Sequence, residues 1–356
     1  MAVSAFDHPL LAALVGDDAL ARLFAVEAEL AAMLRFEAAL AEAQAAEGLI
    51  PAPAAQAIGA ASDGFRPDTA ALAAATGRDG VAVPGLLAQL RTALGAPHAR
   101  HLHFGATSQD AVDTGLALRL GEALAILDRR LAAAVAALEA LEARDGARPA
   151  MAHTRMQAAV PVTAARKIRA WSDPLMRHRT RLRRIADAVA VLHFGGAAGT
   201  LDALGEAGPA VAARLARRLG LNLAARPRHG ERDGQAELAG WLSLVTGSLG
   251  KMGQDVALLA QSEVAEIRLA AGGGSSAMPH KVNPVRAETL VALARFNATL
   301  LAGMHQALVH EGERSGAAWT LEWMLLPQMV VATGAALTHA AALAGEIAFS
   351  GEPPQP

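Results

Sequence analysis

Cysteine is absent from this 356-residue chain. Its absence excludes disulfide bonds, zinc sites built from thiolates and a cysteine nucleophile. Aromatic residues make up only 3% of the sequence, and there is no tyrosine. The net charge is −2, without the basic excess that nucleic-acid-binding proteins carry, so we expect no nucleic-acid partner.

The chain also lacks a basic leader before its first apolar residues, MAVSAFDHPLLAALV. We therefore expect no signal peptide and a soluble cytoplasmic protein. Residues 323–345 contain no Asp, Glu, Lys or Arg and are long enough to span a bilayer. The segment is rich in alanine and contains Pro327, Gln328 and His339, a composition that also fits a helix buried in a large bundle. We expect such a core helix and no membrane span.

The apolar residues follow helical periods, and alternating β-patterns are scarce. One stripe takes alternating steps of four and three, which is typical of a long helix packed against partner helices. Its members are Leu238, Leu242, Val245, Leu249, Met252, Val256 and Leu259. A similar stripe is formed by Leu120, Leu124, Leu127, Leu131, Val135 and Leu138. The pattern predicts an all-α fold, a rod-like bundle whose remaining apolar faces are covered by other subunits.

Prolines mark the expected domain boundaries. Residues 1–100 read as shorter helices interrupted at Pro51, Pro53, Pro67 and Pro97, and we interpret them as an N-terminal helical domain. Residues 101–348 are expected to form the central long-helix bundle. Residues 349–356 are expected to be a tail.

Residues 272–284, GGGSSAMPHKVNP, concentrate the side chains able to do chemistry. Three glycines let the backbone approach a ligand closely, and Ser275, Ser276 and Lys281 follow them. A mobile loop with hydroxyls and a cation is typical of a lid that closes over an anionic substrate. A flexible linker is the alternative, although MPHKVNP is too structured for one. Asn283 fits either a substrate contact or the N-cap of the next helix, with the following proline at the first helical position.

A second cluster, HLHFGATSQDAVDTG at residues 101–115, precedes the helix expected to begin near Asp110. Its polar side chains could cap that helix. Hydroxyl and amide donors at a helix N-terminus also suit a carboxylate, because the helix dipole there favours anions. We prefer this role for Thr107, Ser108 and Gln109. The pair His101 and His103 could suggest a metal, but one such pair without cysteine is weak evidence. We expect no metal site.

Two further segments could supply cationic groups. In HTRMQAAVPVT, residues 153–163, His153, Arg155 and Gln157 alternate ahead of a proline expected to start a helix. An arginine fork suits a planar carboxylate, and an ordinary surface arginine is the alternative. In EGERSGAAWTLEW, residues 311–323, Arg314 lies between two helical stretches, where a salt-bridged turn is the alternative.

Taken together, these segments resemble the fumarase/aspartase superfamily, whose members add to or eliminate across a double bond next to a carboxylate. GSSAMPHKVNP resembles the superfamily signature, and HFGATSQD and TRMQAAVP fall in order at its two other usual regions. Within the superfamily, GATSQDAVDTGL, FGGAAGTLDALG, GSLGKMGQDV and ERSGAAWTLEW are most similar to the bacterial 3-carboxy-cis,cis-muconate cycloisomerase family. The signature is specific for the superfamily and much less so for the reaction.

This resemblance implies closure of 3-carboxy-cis,cis-muconate to 4-carboxymuconolactone, in the protocatechuate branch of the β-ketoadipate pathway, without cofactor or metal. It implies that Ser275 transfers the proton, that Lys281 and Asn283 hold the activated carboxylate, and that His153 and Arg155 are catalytic partners. The residues implied to bind the small tricarboxylate substrate are His103, Thr107, Ser108, Gln157, Ser276, Met278 and Arg314. The resemblance also implies a homotetramer whose active sites are shared between subunits.

Three departures from the superfamily pattern bear on these expectations. Arg155 stands where lyases usually carry histidine and His153 where arginine is usual, so either could be the group that reaches the substrate. Val282 replaces the arginine usual in adenylosuccinate lyases, which are the nearest alternative. The usual C-terminal domain is expected to be absent after Pro356. The alternative from a different class is a non-catalytic structural tetramer, against which the intact serine, lysine and asparagine of the loop argue.

Overall fold

The computed structural model describes residues 3–274, 278 and 281–351, so Ser275 and Ser276 lie outside the described residues. The described part is all-α, as predicted, with twelve α-helices and four short strands. The helices are α1 (Pro9–Val15), α2 (Asp18–Ala21), α3 (Val26–Ala46), α4 (Ala52–Ser62), α5 (Thr69–Asp79), α6 (Val83–Leu94), α7 (Ser108–Asp145), α8 (Ala164–Val189), α9 (Gly208–Leu219), α10 (Asp233–Leu259), α11 (Val285–Gln306) and α12 (Gly316–Glu346). The strands are β1 (Pro149–Thr154), β2 (Gln157–Thr163), β3 (Ile267–Leu269) and β4 (Ile347–Phe349), paired antiparallel as β1–β2 and β3–β4.

Both predicted apolar stripes are confirmed as helix seams. The seven residues of the first stripe lie in α10, and none is more than 6% exposed. In α7 the leucines of the second stripe are buried and Val135 is partly buried. α7 runs for 38 residues and begins two residues before the expected start near Asp110. Heptad spacing thus identified the buried faces of these two helices correctly.

α12 contains the uncharged segment. It packs against α7, α10 and α11, and Val330, Ala332 and Leu337 on it are at most 1% exposed. Among the described residues it is the helix long and apolar enough to cross a membrane, and 61% of its most apolar window is buried inside the protein. α12 is a core helix of the bundle, as expected from its composition.

The N-terminal helices share a second apolar cluster with a later segment. Phe36 and Leu40 of α3 pack in the same cluster as Leu90 of α6. Leu215 of α9 and Trp319 at the start of α12 belong to that cluster too. The chain segment around α9 therefore packs with the N-terminal helices as well as following the bundle helix α8 in sequence, and the boundary at residue 100 stays a prediction.

The bundle has two ends that the contacts identify. At the Asp113 end, Asp113 near the start of α7 bonds Arg232, just before α10, and Trp319 in the first turn of α12. At the Asp145 end, Asp145 closes α7 and accepts from the backbone N–H of Phe349, directly after α12. At 1.5 Å per residue, the 32 positions from Asp113 to Asp145 separate these ends by about 48 Å, and the whole of α7 is about 57 Å long.

Two local expectations were wrong. Pro161 does not start a helix: it pairs with Met151 within the β1–β2 hairpin, and α8 begins at Ala164. Proline is tolerated there because an exposed edge strand leaves its backbone nitrogen without an obligatory partner. Pro284 occupies the N-cap of α11 and the helix starts at Val285, so Asn283 is not the cap.

Candidate active site

The glycine-rich loop is anchored at its stem by backbone pairing. The N–H of Gly273 donates to the carbonyl of Asn283, and the N–H of Asn283 donates to the carbonyl of Gly273, both at 2.9 Å. A Cβ at Gly272 would lie 2.4 Å from Val282 Cγ1, so glycine is required there by close approach. This pairing argues against the linker interpretation.

Three of the predicted site residues in this loop lie within the described residues. Asn283 Nδ2 donates to the carbonyl of Gly274 at 3.4 Å, and Lys281 is exposed. With Met278 they line an open cavity of about 780 Å³, which also borders Arg268. The loop therefore presents an ammonium group and an amide to a space large enough for a small anion, at the Asp145 end of the bundle.

The second cluster is organised by one buried carboxylate. Asp110 is 0% exposed and accepts from the backbone N–H groups of Thr107 (2.9 Å), Gly195 (2.9 Å) and Gly196 (3.0 Å). Its Oδ1 also lies 2.7 Å from Nε2 of His229. Asp110 thus fixes the N-terminus of α7 against the loop that follows α8, and holds Thr107 and Ser108 where the helix dipole is positive.

Arg314 lies in this same cluster. Its Nε donates to Oε1 of Gln109 at 2.8 Å, and another guanidinium nitrogen donates to the carbonyl of Ala197 at 3.3 Å. Gln109 is 0% exposed, and its amide donates to Asp113 (3.0 Å) and to the carbonyl of His229 (2.9 Å). The exposed guanidinium of Arg314 is therefore held in place by the buried amide of Gln109. Among the described residues, Arg314 forms no salt bridge, so the alternative of a salt-bridged turn does not hold.

Beneath Gln109 lies a buried ionic network that the sequence did not reveal. Arg232 is 2% exposed and pairs with Asp113 (2.6 Å) and with Glu322 through two bonds (2.8 and 2.5 Å). Trp319 also donates to Asp113, at 2.9 Å. Burial acts to raise the pKa of Asp113, but the charge of Arg232 outweighs it and lowers the pKa to about 2. Asp113 therefore stays ionised and keeps the floor of the cluster fixed.

His103 is held at the edge of this cluster. Its Nδ1 lies 2.6 Å from Oε1 of Glu37, a residue of α3 that is 1% exposed. Burial acts to lower the pKa of His103, yet the charge and the hydrogen bond of Glu37 outweigh it and raise the pKa. In the described part of the chain, no three His, Cys, Asp or Glu side chains form a group able to hold a metal ion.

The third predicted segment is a hairpin at the Asp145 end. Arg155 and Met156 form its two-residue turn, both with positive φ (51° and 68°), and Thr154 pairs with Gln157. His153, Arg155 and Gln157 are all exposed. Nδ1 of His153 lies 3.1 Å from the carbonyl of Met151. The hairpin therefore carries the exchanged His and Arg outward, away from the core of its own chain.

The structure thus gathers the predicted site residues in two places. His103, Thr107, Ser108 and Arg314 lie at the Asp113 end. The hairpin and the glycine-rich loop lie at the Asp145 end: the N–H of Met151 bonds buried Glu266, and Ala270 bonds the last residue of α12. The two groups are separated by most of the length of α7, about 48 Å from Asp113 to Asp145. One chain cannot bring all of these residues to one small ligand.

Comparison with known proteins gives consistent matches. The sequence profile of a family described as lyase matches residues 15–296. The 3-carboxy-cis,cis-muconate cycloisomerase of Pseudomonas aeruginosa is 43% identical over 90% of this chain and 71% of its own length. The enzyme of that name from Bradyrhizobium diazoefficiens is 43% identical over 92% of this chain and 74% of its own length.

A solved structure matches as closely. The 3-carboxy-cis,cis-muconate lactonizing enzyme of Pseudomonas putida superposes with a TM-score of 0.90 at 38% identity, covering 97% of this chain and 78% of that chain. Sequence and fold therefore agree over nearly the whole of the present chain.

Proposed function

This chain belongs to the lyase family, and we propose that within it the chain acts as a 3-carboxy-cis,cis-muconate cycloisomerase, closing that tricarboxylate to 4-carboxymuconolactone. The observation that carries the proposal is the 43% identity to the Pseudomonas aeruginosa cycloisomerase over 90% of the chain. The anchored loop, the helix N-terminus and the exposed Arg314 supply the anion-binding groups that such a substrate needs. We also propose a cytoplasmic location; the burial of α12 within the bundle supports a core helix over a membrane span.

The reaction is an intramolecular addition that neither gains nor loses heavy atoms. One carboxylate oxygen forms a bond to the β-carbon, and the electron pair of the double bond moves to the carbon α to another carboxylate. That carboxylate then carries two negative charges until a proton reaches the α-carbon. Preorganised donors typically stabilise such charge by about 3 kcal/mol each, so the enzyme's main task is to place donors around one carboxylate.

At the Asp145 end, we assign the proton transfer and the charged intermediate to the loop. Ser275 delivers the proton, and Lys281 and Asn283 hold the carboxylate on which charge develops. Ser276 and Met278, which belong to the same loop in sequence, are assigned to substrate binding. The ammonium group of Lys281 and the amide of Asn283 border one cavity, which supports their common role. From the hairpin, His153 and Arg155 are the candidate catalytic partners, and Gln157 is a candidate amide donor.

At the Asp113 end, we assign binding of the remaining carboxylates. Thr107 and Ser108 stand at the positive end of a 38-residue helix. Arg314 presents a guanidinium group that Gln109 holds in place, and a fork-shaped donor suits a carboxylate. His103 adds a second cation beside them. Together these groups neutralise the carboxylates that do not react.

The separation of the two ends supports active sites shared between chains. Groups near opposite ends of α7, about 48 Å apart, can meet on one substrate only if they come from different chains that pack in opposite directions. Large apolar side chains are exposed on three of the bundle helices, namely Met176 (45%) on α8, Leu244 (54%) on α10 and Met324 (61%) on α12. We propose that other copies of the chain cover them in a closed homotetramer.

The test of the proposed function is direct. Purified protein is mixed with 3-carboxy-cis,cis-muconate, and the ultraviolet absorbance of the conjugated diene is followed while the product is identified by NMR. We expect loss of the absorbance with the lactone as sole product. An unchanged absorbance from a protein shown to be tetrameric would contradict the proposal, and adenylosuccinate would then be tested as substrate.

A further inference from the structure

Helix α3 contacts the start of the HFGATSQD segment through two buried polar side chains. Glu37 lies 2.6 Å from His103 Nδ1, and Gln44 Nε2 donates to the carbonyl of Phe104 at 2.6 Å. The two residues are 1% and 0% exposed. They are seven positions apart, which is two turns, so they stand on the same face of α3. One face of α3 therefore contacts the side chain of His103 and the backbone of Phe104.

The segment contacted by Glu37 and Gln44 includes two residues with positive φ, His103 and Gly105. His103 has φ +62°, the left-handed region that a histidine rarely occupies. Two residues on, Gly105 has φ +70°, and a Cβ there would lie 2.6 Å from Leu204. A histidine in this conformation persists only where its surroundings hold it. The contacts to Glu37 and Gln44 provide that hold from α3.

We propose that Glu37 is a positioning residue that keeps His103 charged and turned toward the substrate, while Gln44 fixes the backbone beside it. Because Glu37 occupies Nδ1, Nε2 is the nitrogen through which His103 can contact a substrate carboxylate. A protonated imidazole there donates a charge-assisted hydrogen bond, which is stronger than a neutral one. This inference rests on the proposed function, since it assigns the same site a carboxylate-binding histidine.

The charged groups that face His103 come from three helices. Glu37 on α3 and Asp110 on α7 favour the protonated imidazole, and Arg91 on α6 opposes it. Burial also opposes protonation, and the carboxylates outweigh both, so the pKa of His103 is raised. Substrate binding through His103 is therefore complete below this pKa and is lost as pH rises through it. Removing the charge of Glu37 lowers the pKa, so binding is lost at a lower pH.

The experiment uses the full chain as its tetramer and measures KM and kcat for 3-carboxy-cis,cis-muconate from pH 5.5 to 9. In Glu37→Gln we expect KM to be raised roughly tenfold in the pH interval between the lowered pKa of the variant and the raised pKa of the wild type, the effect of losing one charge-assisted hydrogen bond. As the pH falls, the KM of the variant should approach the wild-type value, because His103 becomes protonated in the variant at a lower pH than in the wild type. Glu42→Gln is the matched control: it lies on the same helix and pairs only with exposed Arg218 among the described contacts. It should leave the profile unchanged.

The second variant is His103→Asn, since asparagine tolerates positive φ. It should abolish the rise of KM with pH, and adding Glu37→Gln to it should change KM no further. A KM for Glu37→Gln raised equally at every pH, or independent effects in the double variant, would overturn the inference and leave only a structural ion pair.

Failure of the proposed function is separable from failure of this inference. If the wild type does not convert the substrate, the titration of the His103 ring is read by NMR of ¹³C-labelled histidine, assigned with His103→Asn. A pKa that falls in Glu37→Gln supports the pairing. An unchanged pKa contradicts it. The same titration decides the matter if Glu37→Gln folds but is too weakly active for kinetics.

Discussion

Replacing Arg232 by methionine should strongly destabilise the protein, because it leaves two buried carboxylates without their cation. Arg232, Asp113 and Glu322 are at most 2% exposed, and the guanidinium is the cation bonded to both acids. Breaking a buried ion pair by removing one partner typically costs 3–5 kcal/mol, and methionine keeps most of the volume, so the cavity adds little. We expect the free energy of unfolding to fall by about 4 kcal/mol at pH 7.

The pH dependence gives this prediction its sign. In the wild type the pKa of Asp113 is lowered from 3.8 to about 2, which corresponds to roughly 2 kcal/mol of stability. That stability is present above pH 3.8 and is lost as pH falls toward 2. Without Arg232, the main influence that lowers the pKa of Asp113 is lost, and burial, which raises that pKa, is opposed only by the weaker effects of His193 and Gln109. The pKa of Asp113 should therefore rise. The variant should therefore recover stability as pH falls from 7 toward 5, where the wild type does not.

The assay is urea unfolding followed by circular dichroism at pH 5, 6 and 7. Arg218→Met is the matched control, because Arg218 pairs with Glu42 on the surface and such pairs contribute less than about 1 kcal/mol. A loss below 1 kcal/mol in Arg232→Met, or a loss that grows as the pH falls, would refute the reasoning about the buried network.

Three further predictions concern single positions. Ser275→Ala should abolish turnover while the assembly state, measured by light scattering, stays that of the wild type; substantial remaining turnover would remove Ser275 from the proton transfer. Gln109→Leu should raise KM roughly tenfold with a smaller change in kcat, because Arg314 loses the amide that holds it. Gly196→Ala should cost about 2 kcal/mol or more in urea unfolding, because φ is +68° and the new Cβ would lie 2.7 Å from the carbonyl oxygen of Gly105; a neutral effect would contradict the close approach.

The long helices and the chemical segments could be predicted from the sequence. The α10 stripe is buried, as its spacing predicts. Heptad spacing can be recognised within one short segment, without knowledge of which other helices pack against it. The neighbourhood of Thr107, Ser108 and Arg314 could be expected only through the family resemblance. Gln109 and Arg314 are 205 positions apart, and no sequence pattern would place them in contact.

Other features depended on contacts that no local pattern encodes. The local sequence predicts a helix start at Pro161, whereas the pairing of Pro161 with Met151 in the hairpin decides its conformation. Arg232 and Glu322 lie in unremarkable sequence, and only the packing of α7 against the starts of α10 and α12 makes them a buried network. Glu37 belongs to an ordinary helical stretch 66 residues before His103. Buried charge is a property of the assembled chain.

Complementation between inactive variants tests most directly whether the active sites are shared between chains. Arg314→Met removes a group at the Asp113 end, and Lys281→Met removes one at the Asp145 end. Each variant alone should have little activity. When the two are co-expressed and mixed tetramers are shown by native mass spectrometry, random assembly leaves about a quarter of the sites with both groups intact, if the groups come from different chains. We predict recovery of about a quarter of wild-type turnover. Mixed tetramers that stay as inactive as the separate variants would contradict active sites that combine groups from opposite ends of α7, a helix about 57 Å long.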